Sequence, residues 1–314
     1  TLPSAVALLC SADSFPRSTQ EPKSMSSASF LTPNRCVGVV GLGLVGTALA
    51  KRLQMAGYEC IGFDVRQEAM AGFESLGFQT SSTVVQMLDK TNVLVLAVFD
   101  TTGVLDVVAQ IKQHRHLHAA GDQPTLTLID CSTGDPVQLA ELAKQLSLFN
   151  IHLIEAPLSG SSVQIQNGEA TLLLGGESSH IDSVADVLSA LANSKVHVGG
   201  AGMAAKAKLA TNLVLGLNRA ALAEGIVFAQ TMGIPPEAFL QLVLSTPARS
   251  EAAVVKGDMM VKEEFAPQSR IRQHLKDVQL MLDMAQARTQ SLPLSQAHAQ
   301  LMRNAIAQGD GELD

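Results

Sequence analysis

The stretch that most constrains the fold is residues 36–57, which are predicted to form a strand, a glycine-rich turn and a helix in direct succession. The apolar run of residues 37–40 is typical of a buried parallel strand, and Leu49 and Leu53 follow at helical spacing, with Gly57 closing the segment. The turn between them is Gly41-Leu42-Gly43-Leu44-Val45-Gly46. This order predicts a turn that binds phosphate.

Each glycine of the turn meets a separate requirement of phosphate binding. Gly41 permits the tight turn out of the strand, and Gly43 lets the main chain approach a pyrophosphate with no side chain between them. Gly46 lets the helix pack close to the sheet, so that the free N–H groups at the helix start face the phosphates. Glycine turns without a ligand are common, so the flanking strand and helix carry the prediction of a dinucleotide site.

A second strand predicts which dinucleotide binds. The run Glu59–Phe63 ends at Asp64, about 18 residues after Gly46, where a carboxylate would meet an adenosine ribose. A carboxylate there accepts hydrogen bonds from the ribose hydroxyls of NAD and repels the 2′-phosphate of NADP. NAD is therefore the predicted cofactor, and Arg66, two residues later, leaves NADP as the alternative. A solvated aspartate beside an arginine is the other interpretation of this pair.

Composition excludes several classes of protein. A chain of 314 residues with 46% hydrophobic content can bury two cores of ordinary domain size. The net charge of -7, without a cluster of lysines and arginines among aromatic residues, argues against a nucleic-acid partner. No run reaches the roughly 18 to 20 apolar residues of a membrane span, so we expect a soluble protein with no membrane partner.

Neither the cysteines nor the histidines predict a metal site. The four cysteines have no CxxC spacing, and the last three lie at or beside predicted strands, which favours reduced thiols; they are Cys10, Cys36, Cys60 and Cys131. Three alternating histidines lack a second ligand set, which favours a solvated loop; they are His114, His116 and His118.

Residues 1–35 differ from the rest of the chain. They are rich in Ser, Pro and Thr, and they are predicted to be a disordered leader or a processing segment outside the fold. The chain does not begin with Met, and Met25 is a candidate internal start. A transit sequence, a linker and an expression remnant all remain open. We expect a cytoplasmic protein, or a mitochondrial or plastid one if this segment is a transit sequence.

From residue 36 onward, strands alternate with helices, which predicts an α/β Rossmann-type doubly wound parallel sheet over residues 36–199. Ligands bind beyond the carboxyl ends of such strands, so four loops should converge on one crevice; they are residues 41–46, 99–103, 131–136 and 157–162. Val98, at the end of the strand 92–98, is a predicted cofactor contact.

Residues 200–314 are predicted to form a second, all-helical domain. Helical spacing persists while no strand pattern is clear, and the predicted helices are 203–231, 236–245, 249–261, 270–288 and 294–307. The first of these helices carries Lys208 and Asn212, which lie four residues apart and so share one face. An amine and an amide there can reach one substrate oxygen, as a general acid beside a hydride donor requires. Spacing alone also fits two polar residues on a solvated face.

Four motifs in order resemble the β-hydroxyacid dehydrogenases. The motifs are the turn 41–46, Glu155-Ala-Pro157-Leu-Ser159-Gly160 with Gly168, Lys208-Leu-Ala-Thr-Asn212, and Lys276-Asp277. This family includes 3-hydroxyisobutyrate dehydrogenases, tartronate semialdehyde (2-hydroxy-3-oxopropionate) reductases and plant-type glyoxylate/succinic semialdehyde reductases. The resemblance covers residues 36–314. It implies a nicotinamide-dependent oxidoreductase acting on CH–OH groups, and a helical bundle that mediates assembly into a homodimer or homotetramer.

The resemblance also implies roles for single residues. Lys208 would be the acid/base and Asn212 would orient the substrate, with Lys206 as a rival that lacks a matching Asn. Ser159 and Gly160, with Ser161, would bind the substrate carboxylate. Ser132 would lie near nicotinamide and substrate, and Lys276 would close over the cofactor. Ile165 stands where the family often has alanine, which predicts a bulkier pocket floor.

Three functions follow as hypotheses. The leading one is an NAD-dependent enzyme that interconverts a small 3-hydroxy acid and its semialdehyde, as 3-hydroxyisobutyrate dehydrogenase does. The second is an NADPH-dependent reductase of tartronate, succinic or glyoxylic semialdehyde. The third, of another class, is a non-catalytic dinucleotide-binding module that mediates oligomerisation. Retention of Lys208 and Asn212 argues against this third function.

Overall fold

The first strand that the structure describes is the one expected from the apolar run before the glycine turn. This computed structural model describes residues 35–117 and 124–314. The predicted leader (apart from Arg35), with Cys10, and also His118 lie outside the described residues.

One sheet contains all the strands of the described residues. They are β1 (Cys36–Val40), β2 (Glu59–Phe63), β3 (Gln79–Thr80), β4 (Val93–Leu96), β5 (Leu126–Asp130), β6 (Ile151–Glu155), β7 (Leu158–Ser159), β8 (Thr171–Gly175) and β9 (Ser194–Gly199). The order is β3-β2-β1-β4-β5-β6-β8-β7, with β9 paired to β8. The first six strands in this order are parallel, while β8 runs antiparallel to β6 and β7. The predicted Rossmann-type sheet is confirmed.

Helices cover both faces of this sheet because its central strands are apolar on both sides. Val39 of β1 packs in one core cluster and Val40, its neighbour, in the other. The helices that accompany the sheet are α1 (Leu44–Met55), α2 (Gln67–Ser75), α3 (Val84–Met87), α4 (Thr101–Leu117), α5 (Pro136–Ser147), α6 (Ser162–Asn167), α7 (Ser178–Ser183) and α8 (Ala185–Leu191). In this arrangement the strand ends and helix starts lie along one edge.

After β9 the described chain is helical. Its helices are α9 (Met203–Thr231), α10 (Pro236–Ser245), α11 (Glu251–Val261), α12 (Ile271–Gln286) and α13 (Pro293–Ala307), followed by a short 3-10 turn at Asp310–Glu312. The predicted helical C-terminal part is confirmed. Gly233 adopts a φ of 84° just past the end of α9, and a proline begins α10.

The long helix α9 is the centre of the helical part. It packs against β8 and β9 at its start and against α10, α11, α12 and α13 along its length. Among the described helices it is also the one with the length and apolar composition of a membrane span. Its contacts with the sheet and with the other helices account for that composition.

Two predictions about local structure are wrong. His114 and His116 lie in α4 and not in a loop. The helix continues through them because Ile111 and Arg115, one turn apart, are both buried, and Arg115 donates hydrogen bonds to the carbonyl oxygens of Phe149 and Pro124. Ile165 is 2% exposed in the core cluster beneath α6 and α1, so it does not form a pocket floor.

Candidate active site

The glycine turn has the geometry that a pyrophosphate requires. Gly41 has a φ of +92°, and a Cβ there would overlap the carbonyl oxygen of Ala97. A Cβ on Gly46 would overlap the carbonyl oxygen of Gly41, which explains the close approach of α1 to the sheet. Gly43 precedes α1, has open space on its side-chain position, and leaves the helix start without a side-chain cap. The free N–H groups at this helix start fit a dinucleotide phosphate.

The three apolar residues of the turn differ in exposure. Leu42 is buried in the core, Val45 is half-buried, and Leu44 is exposed. Of these three side chains, Leu44 is therefore the one open to solvent, while Val45 packs against the same core cluster as Leu42.

Asp64 is held at the end of β2 by the turn and by Arg66. Its Oδ2 accepts a hydrogen bond from the main-chain nitrogen of Leu42 at 2.8 Å. Its Oδ1 accepts one from the main-chain nitrogen of Arg66 at 2.9 Å and one from Nε at 3.1 Å. Burial opposes ionisation, but these hydrogen bonds and the Arg66 charge hold the pKa of Asp64 below its usual value. The predicted ribose ligand is thus an ionised carboxylate, with an exposed guanidinium beside it.

Ser132 joins the loops that follow β4 and β5. Its hydroxyl accepts a hydrogen bond from the main-chain nitrogen of Val98 at 3.1 Å, and its own main-chain nitrogen donates to Asp130 Oδ1 at 2.9 Å. Asp130 is 1% exposed and its Oδ2 has no hydrogen-bond partner among the described residues. Burial raises the pKa of Asp130 to about 6; the bonds from Ser132 lower it and nearby Glu155 raises it further.

In the segment after β6, Ser159 and Gly160 differ from Ser161 in whether their hydrogen-bonding groups are already engaged within the protein. Ser159 is half-buried in β7, and Gly160 is exposed with a φ of +154°. Ser161 caps α6: its Oγ accepts from the Gln164 nitrogen at 3.3 Å, and its nitrogen donates to Gln164 Oε1 at 2.9 Å. The capping box occupies two groups of Ser161, so Ser159 and Gly160 are the better candidates for a substrate carboxylate. Substrate binding by Ser161 stays a prediction.

Lys208 and Asn212 share a buried face of α9 and meet Asp277 of α12. Asn212 Nδ2 donates to Asp277 Oδ2 at 3.1 Å. Lys208 is 8% exposed, whereas Lys206, two residues earlier, is exposed to solvent. Burial lowers the pKa of Lys208 to about 8; Asp277 opposes this decrease, while Arg219 and Lys276 add to it. Of the two lysines considered for acid/base chemistry, Lys208 therefore has the suitable environment.

Lys276 links α12 to the loops of the sheet. Its Nζ donates to the carbonyl oxygens of Phe99 at 3.0 Å and Thr133 at 2.6 Å, and it lies 3.0 Å from Asp277 Oδ1. Gln273 of the same helix also donates to the Phe99 carbonyl, at 3.1 Å. These contacts bring the loops after β4 and β5 and the α9–α12 face into one crevice. Contact of Lys276 with the cofactor stays a prediction.

Glu155 is the site residue whose role the sequence did not reveal. It is 2% exposed, and its carboxylate accepts hydrogen bonds from the main-chain nitrogens of Gly202 and Ala205 at the start of α9. Burial raises the pKa of Glu155, and these two bonds and the charge of Lys206 lower it. A glutamate at the end of an apolar strand can be noticed in the sequence. No local pattern, however, predicts its hydrogen bond with the main-chain nitrogen of Ala205, 50 residues away.

The part of the chain that the structure describes holds no group of three or more His, Cys, Asp or Glu side chains arranged to bind a metal ion. Cys36, Cys60 and Cys131 are free thiols.

Two family models match the two parts of the chain. The NAD binding domain of 6-phosphogluconate dehydrogenase matches residues 36–200, and the NAD-binding domain of NADP-dependent 3-hydroxyisobutyrate dehydrogenase matches residues 200–314. Among curated relatives, 2-hydroxy-3-oxopropionate reductase of Escherichia coli is 28% identical over 88% of this chain and 94% of the relative. L-threonate dehydrogenase of Cupriavidus necator is 26% identical over 90% of this chain and 94% of its own.

Solved structures agree with these matches. The crystal structure of 3-hydroxyisobutyrate dehydrogenase from Salmonella typhimurium has a TM-score of 0.75 and 26% identity, and the match covers 89% of this chain and 96% of that chain. An imine reductase from a Pseudomonas species, at 22% identity and a TM-score of 0.58, shares the fold alone. Because family models match both parts of the chain and these relatives match along nearly their whole length, the chain belongs to the β-hydroxyacid dehydrogenase family and is an NAD(P)-dependent oxidoreductase of hydroxy acids.

Proposed function

We propose that this enzyme interconverts a small 3-hydroxy acid and its semialdehyde with Lys208 as the general acid and base. The observation that carries the proposal is the buried Lys208 amine, with its pKa lowered to about 8, on the same face of α9 as Asn212. The relatives named above act, by their names, on 2-hydroxy-3-oxopropionate, L-threonate or 3-hydroxyisobutyrate. These are small acids with a hydroxyl or aldehyde group.

Both protonation states of Lys208 are accessible near neutral pH. In the reductive direction its ammonium donates a proton to the carbonyl oxygen, and in the oxidative direction its neutral amine accepts the hydroxyl proton. A bound nicotinamide supplies or receives the hydride at the substrate carbon. Asp277 holds the Asn212 amide in one orientation through the 3.1 Å hydrogen bond, so that the amide can orient the same substrate oxygen.

The substrate carboxylate is assigned to the loop after β7. The hydroxyl of Ser159 and the main-chain N–H of Gly160 are the donors, and hydrogen bonds to an ionised acceptor are the stronger kind. The exposure of Gly160 supports access by a ligand. Ser132 lies between the loops of Val98 and Asp130, where nicotinamide and substrate would meet.

NAD is the proposed cofactor. The carboxylate of Asp64 is ionised at the end of β2, where we assign it to the adenosine ribose, and there it favours free hydroxyls over a 2′-phosphate. Arg66 is engaged by Asp64 and therefore gives less support to NADP than the sequence alone suggested.

The direct test measures reduced nicotinamide by its absorbance. The full chain, its Lys208→Ala variant and a Lys206→Ala control are each mixed with NADH or NADPH and a panel of carboxylated semialdehydes. The reverse reaction uses the matching 3-hydroxy acids. Turnover by the wild type and by Lys206→Ala, with loss of at least a thousandfold in Lys208→Ala, is the expected result. Equal activity of the two variants contradicts the role given to Lys208. Cofactor binding without turnover of any substrate favours the non-catalytic module.

A homo-oligomer belongs to the same proposal, with the helical part as the interface. Exposed apolar side chains on separate helices support it, among them Val214 at 58% and Leu242 at 53% exposure. Sedimentation of the pure protein at several concentrations tests it. A monomer throughout contradicts it.

A further inference from the structure

The helical part of the molecule contains a cavity that the proposed reaction does not use. It has a volume of about 820 Å³ and lies among α9, α11, α12 and α13. Pockets that hold small organic ligands have volumes of roughly 300 to 1,000 Å³. Neither Lys208 nor Asn212 lines it. The cavity is therefore a separate space and not the proposed catalytic crevice.

Most of the cavity wall is apolar and adaptable. Met259, Met260 and Met302 contribute thioether side chains, and Phe228 and Leu301 add larger apolar surfaces. Unbranched methionine side chains fill irregular space and adjust to flexible ligands. The wall suits an aliphatic body better than a rigid polar one.

One cation in the wall, Arg219, makes no direct ion pair among the described residues, although the charge of Asp314 acts on it. The Nε atom of Arg219 is buried without a hydrogen-bond partner, and among the described residues no carboxylate pairs with its guanidinium. The nearby Asp314 is already engaged, because its carboxylate lies 2.7 Å from Lys256 Nζ and accepts the main-chain nitrogens of Gln268 and Ser269, each at 2.8 Å. A guanidinium that lines a cavity without a direct ion pair is stabilised by an anion from outside the chain.

A second unsatisfied group lies next to Arg219. His274 packs directly over Gly216, and its buried Nε2 has no hydrogen-bond partner. Its ring lies 5.2 Å from that of His298, which also lines the cavity. Burial, with the charges of Arg219 and Lys208, keeps the His274 ring neutral by lowering its pKa to about 3. The neutral ring adds no second charge to this wall, and its Nε2 packs against Gly216 of α9.

We propose that this cavity binds an organic anion, a carboxylate on an unbranched apolar body, with Arg219 as the anchor of the carboxylate. The positive charge of Arg219 favours a carboxylate group, and the methionine-rich wall contacts the apolar body of the ligand. Lys208 and Arg219 are 11 positions apart on α9, a rise of about 16 Å between their main chains, and neither Lys208 nor Asn212 lines the cavity. The ligand is thus additional to the substrate.

Titration calorimetry of the full chain with sodium octanoate tests the proposal. One site per chain is expected in the wild type. Arg219→Gln should weaken binding at least tenfold, and Arg219→Lys, which keeps the charge, should weaken it less. Ala305→Phe, which fills the cavity without changing its charge, should abolish binding. Arg303→Gln on the exposed surface of α13 is the matched control and should bind as the wild type does.

Two further experiments test which parts of the ligand are needed and where it binds. Inorganic phosphate is an anion without an apolar body, and hexanol is an apolar body without a charge. Each should bind at least tenfold more weakly than octanoate. Ser159→Ala should leave octanoate binding unchanged, because Ser159 lies in the loop assigned to the substrate.

Several outcomes overturn the proposal. Binding that is equal in Arg219→Gln and the wild type, or that survives in Ala305→Phe, places octanoate elsewhere. Absence of binding at millimolar octanoate excludes this ligand class. Octanoate binding that occurs only when sedimentation shows an oligomer dissociating means that a second copy of the chain fills the cavity. Cofactor binding and thermal unfolding of each variant confirm that it is folded, so a loss of octanoate binding is not a loss of structure.

Discussion

The carboxylate of Glu155 accepts a hydrogen bond from the main-chain nitrogen of Ala205 at 2.8 Å, and so fixes the start of α9 to the end of β6. The first turn of a helix leaves N–H groups without partners inside the helix, and a carboxylate satisfies them while also meeting the positive end of the helix dipole. Lys208 lies one turn further along α9. The position of the proposed acid/base therefore depends on a residue of the sheet.

Replacing Glu155 should impair both stability and turnover. In Glu155→Ala the buried N–H groups of Gly202 and Ala205 lose their acceptor, which should lower the free energy of unfolding by about 2 to 4 kcal/mol. Urea unfolding and kcat check this. Glu141→Ala on the exposed face of α5 is the control, and it should change the free energy of unfolding by less than about 0.5 kcal/mol. An unchanged kcat in folded Glu155→Ala would show that Glu155 does not position Lys208.

The two directions of the reaction should depend on pH in opposite ways. Lys208 is a cation below its pKa of about 8 and a neutral amine above it. Oxidation needs the neutral amine, so kcat/KM for the hydroxy acid should rise with pH and level off above this value. Reduction needs the ammonium, so kcat/KM for the semialdehyde should fall over the same range. Profiles with no inflection between pH 7 and 9 in either direction would remove Lys208 from the proton transfer.

Two charge neutralisations should move this inflection in opposite directions. Asp277 raises the pKa of Lys208, so Asp277→Asn should shift the inflection to lower pH. Arg219 lowers the same pKa, so Arg219→Gln should shift it to higher pH. The measurement is the pH profile of kcat/KM, with the exposed Asp283→Asn of α12 as the control. Shifts of the same sign in both variants would show that the charges of Asp277 and Arg219 do not set the pKa of Lys208.

The sequence predicts the parts of this site that depend on local patterns. The glycine turn, Asp64 at the end of β2, and the shared face of Lys208 and Asn212 follow from spacing along one or two elements. The contacts of Glu155 and Lys276 join residues 50 and 143 positions apart, and no local pattern encodes such a pairing. The prediction that Ile165 forms a pocket floor is wrong for the same reason. Which side of α6 is buried depends on its packing against α1, and no local pattern encodes that packing.

Cofactor preference should change when Asp64 loses its charge. Asp64→Ser removes the repulsion of a 2′-phosphate and releases Arg66, which then can bind that phosphate. The ratio of kcat/KM for NADPH to that for NADH should increase by roughly tenfold or more. Glu68→Ser, an exposed acid in the first turn of α2, serves as the matched variant and should leave the ratio unchanged. An equal ratio in Asp64→Ser and the wild type would mean that residues other than Asp64 determine the preference between NADH and NADPH.

Two Gly→Ala substitutions should have opposite effects on stability. At Gly46 a Cβ overlaps the Gly41 carbonyl oxygen, so Gly46→Ala should destabilise the fold by about 1 to 3 kcal/mol and weaken dinucleotide binding. Gly72 lies in α2 with open space around it, so Gly72→Ala should stabilise the fold by about 0.5 to 1 kcal/mol. Urea unfolding measures both. A neutral Gly46→Ala would mean that α1 does not need its close approach to the turn.

Lys276 reaches across the crevice to two carbonyl oxygens, those of Phe99 and Thr133. Every residue type supplies such an oxygen, so these two hydrogen bonds persist whichever side chains occupy positions 99 and 133, while the Phe99 ring, 5.6 Å from Lys276 Nζ, adds a cation–π contact. Substitutions at these two positions can therefore remodel the entrance to the crevice while the connection across it persists. Sequence divergence at positions 99 and 133 therefore leaves the hydrogen-bonded connection between the sheet and the helices in place.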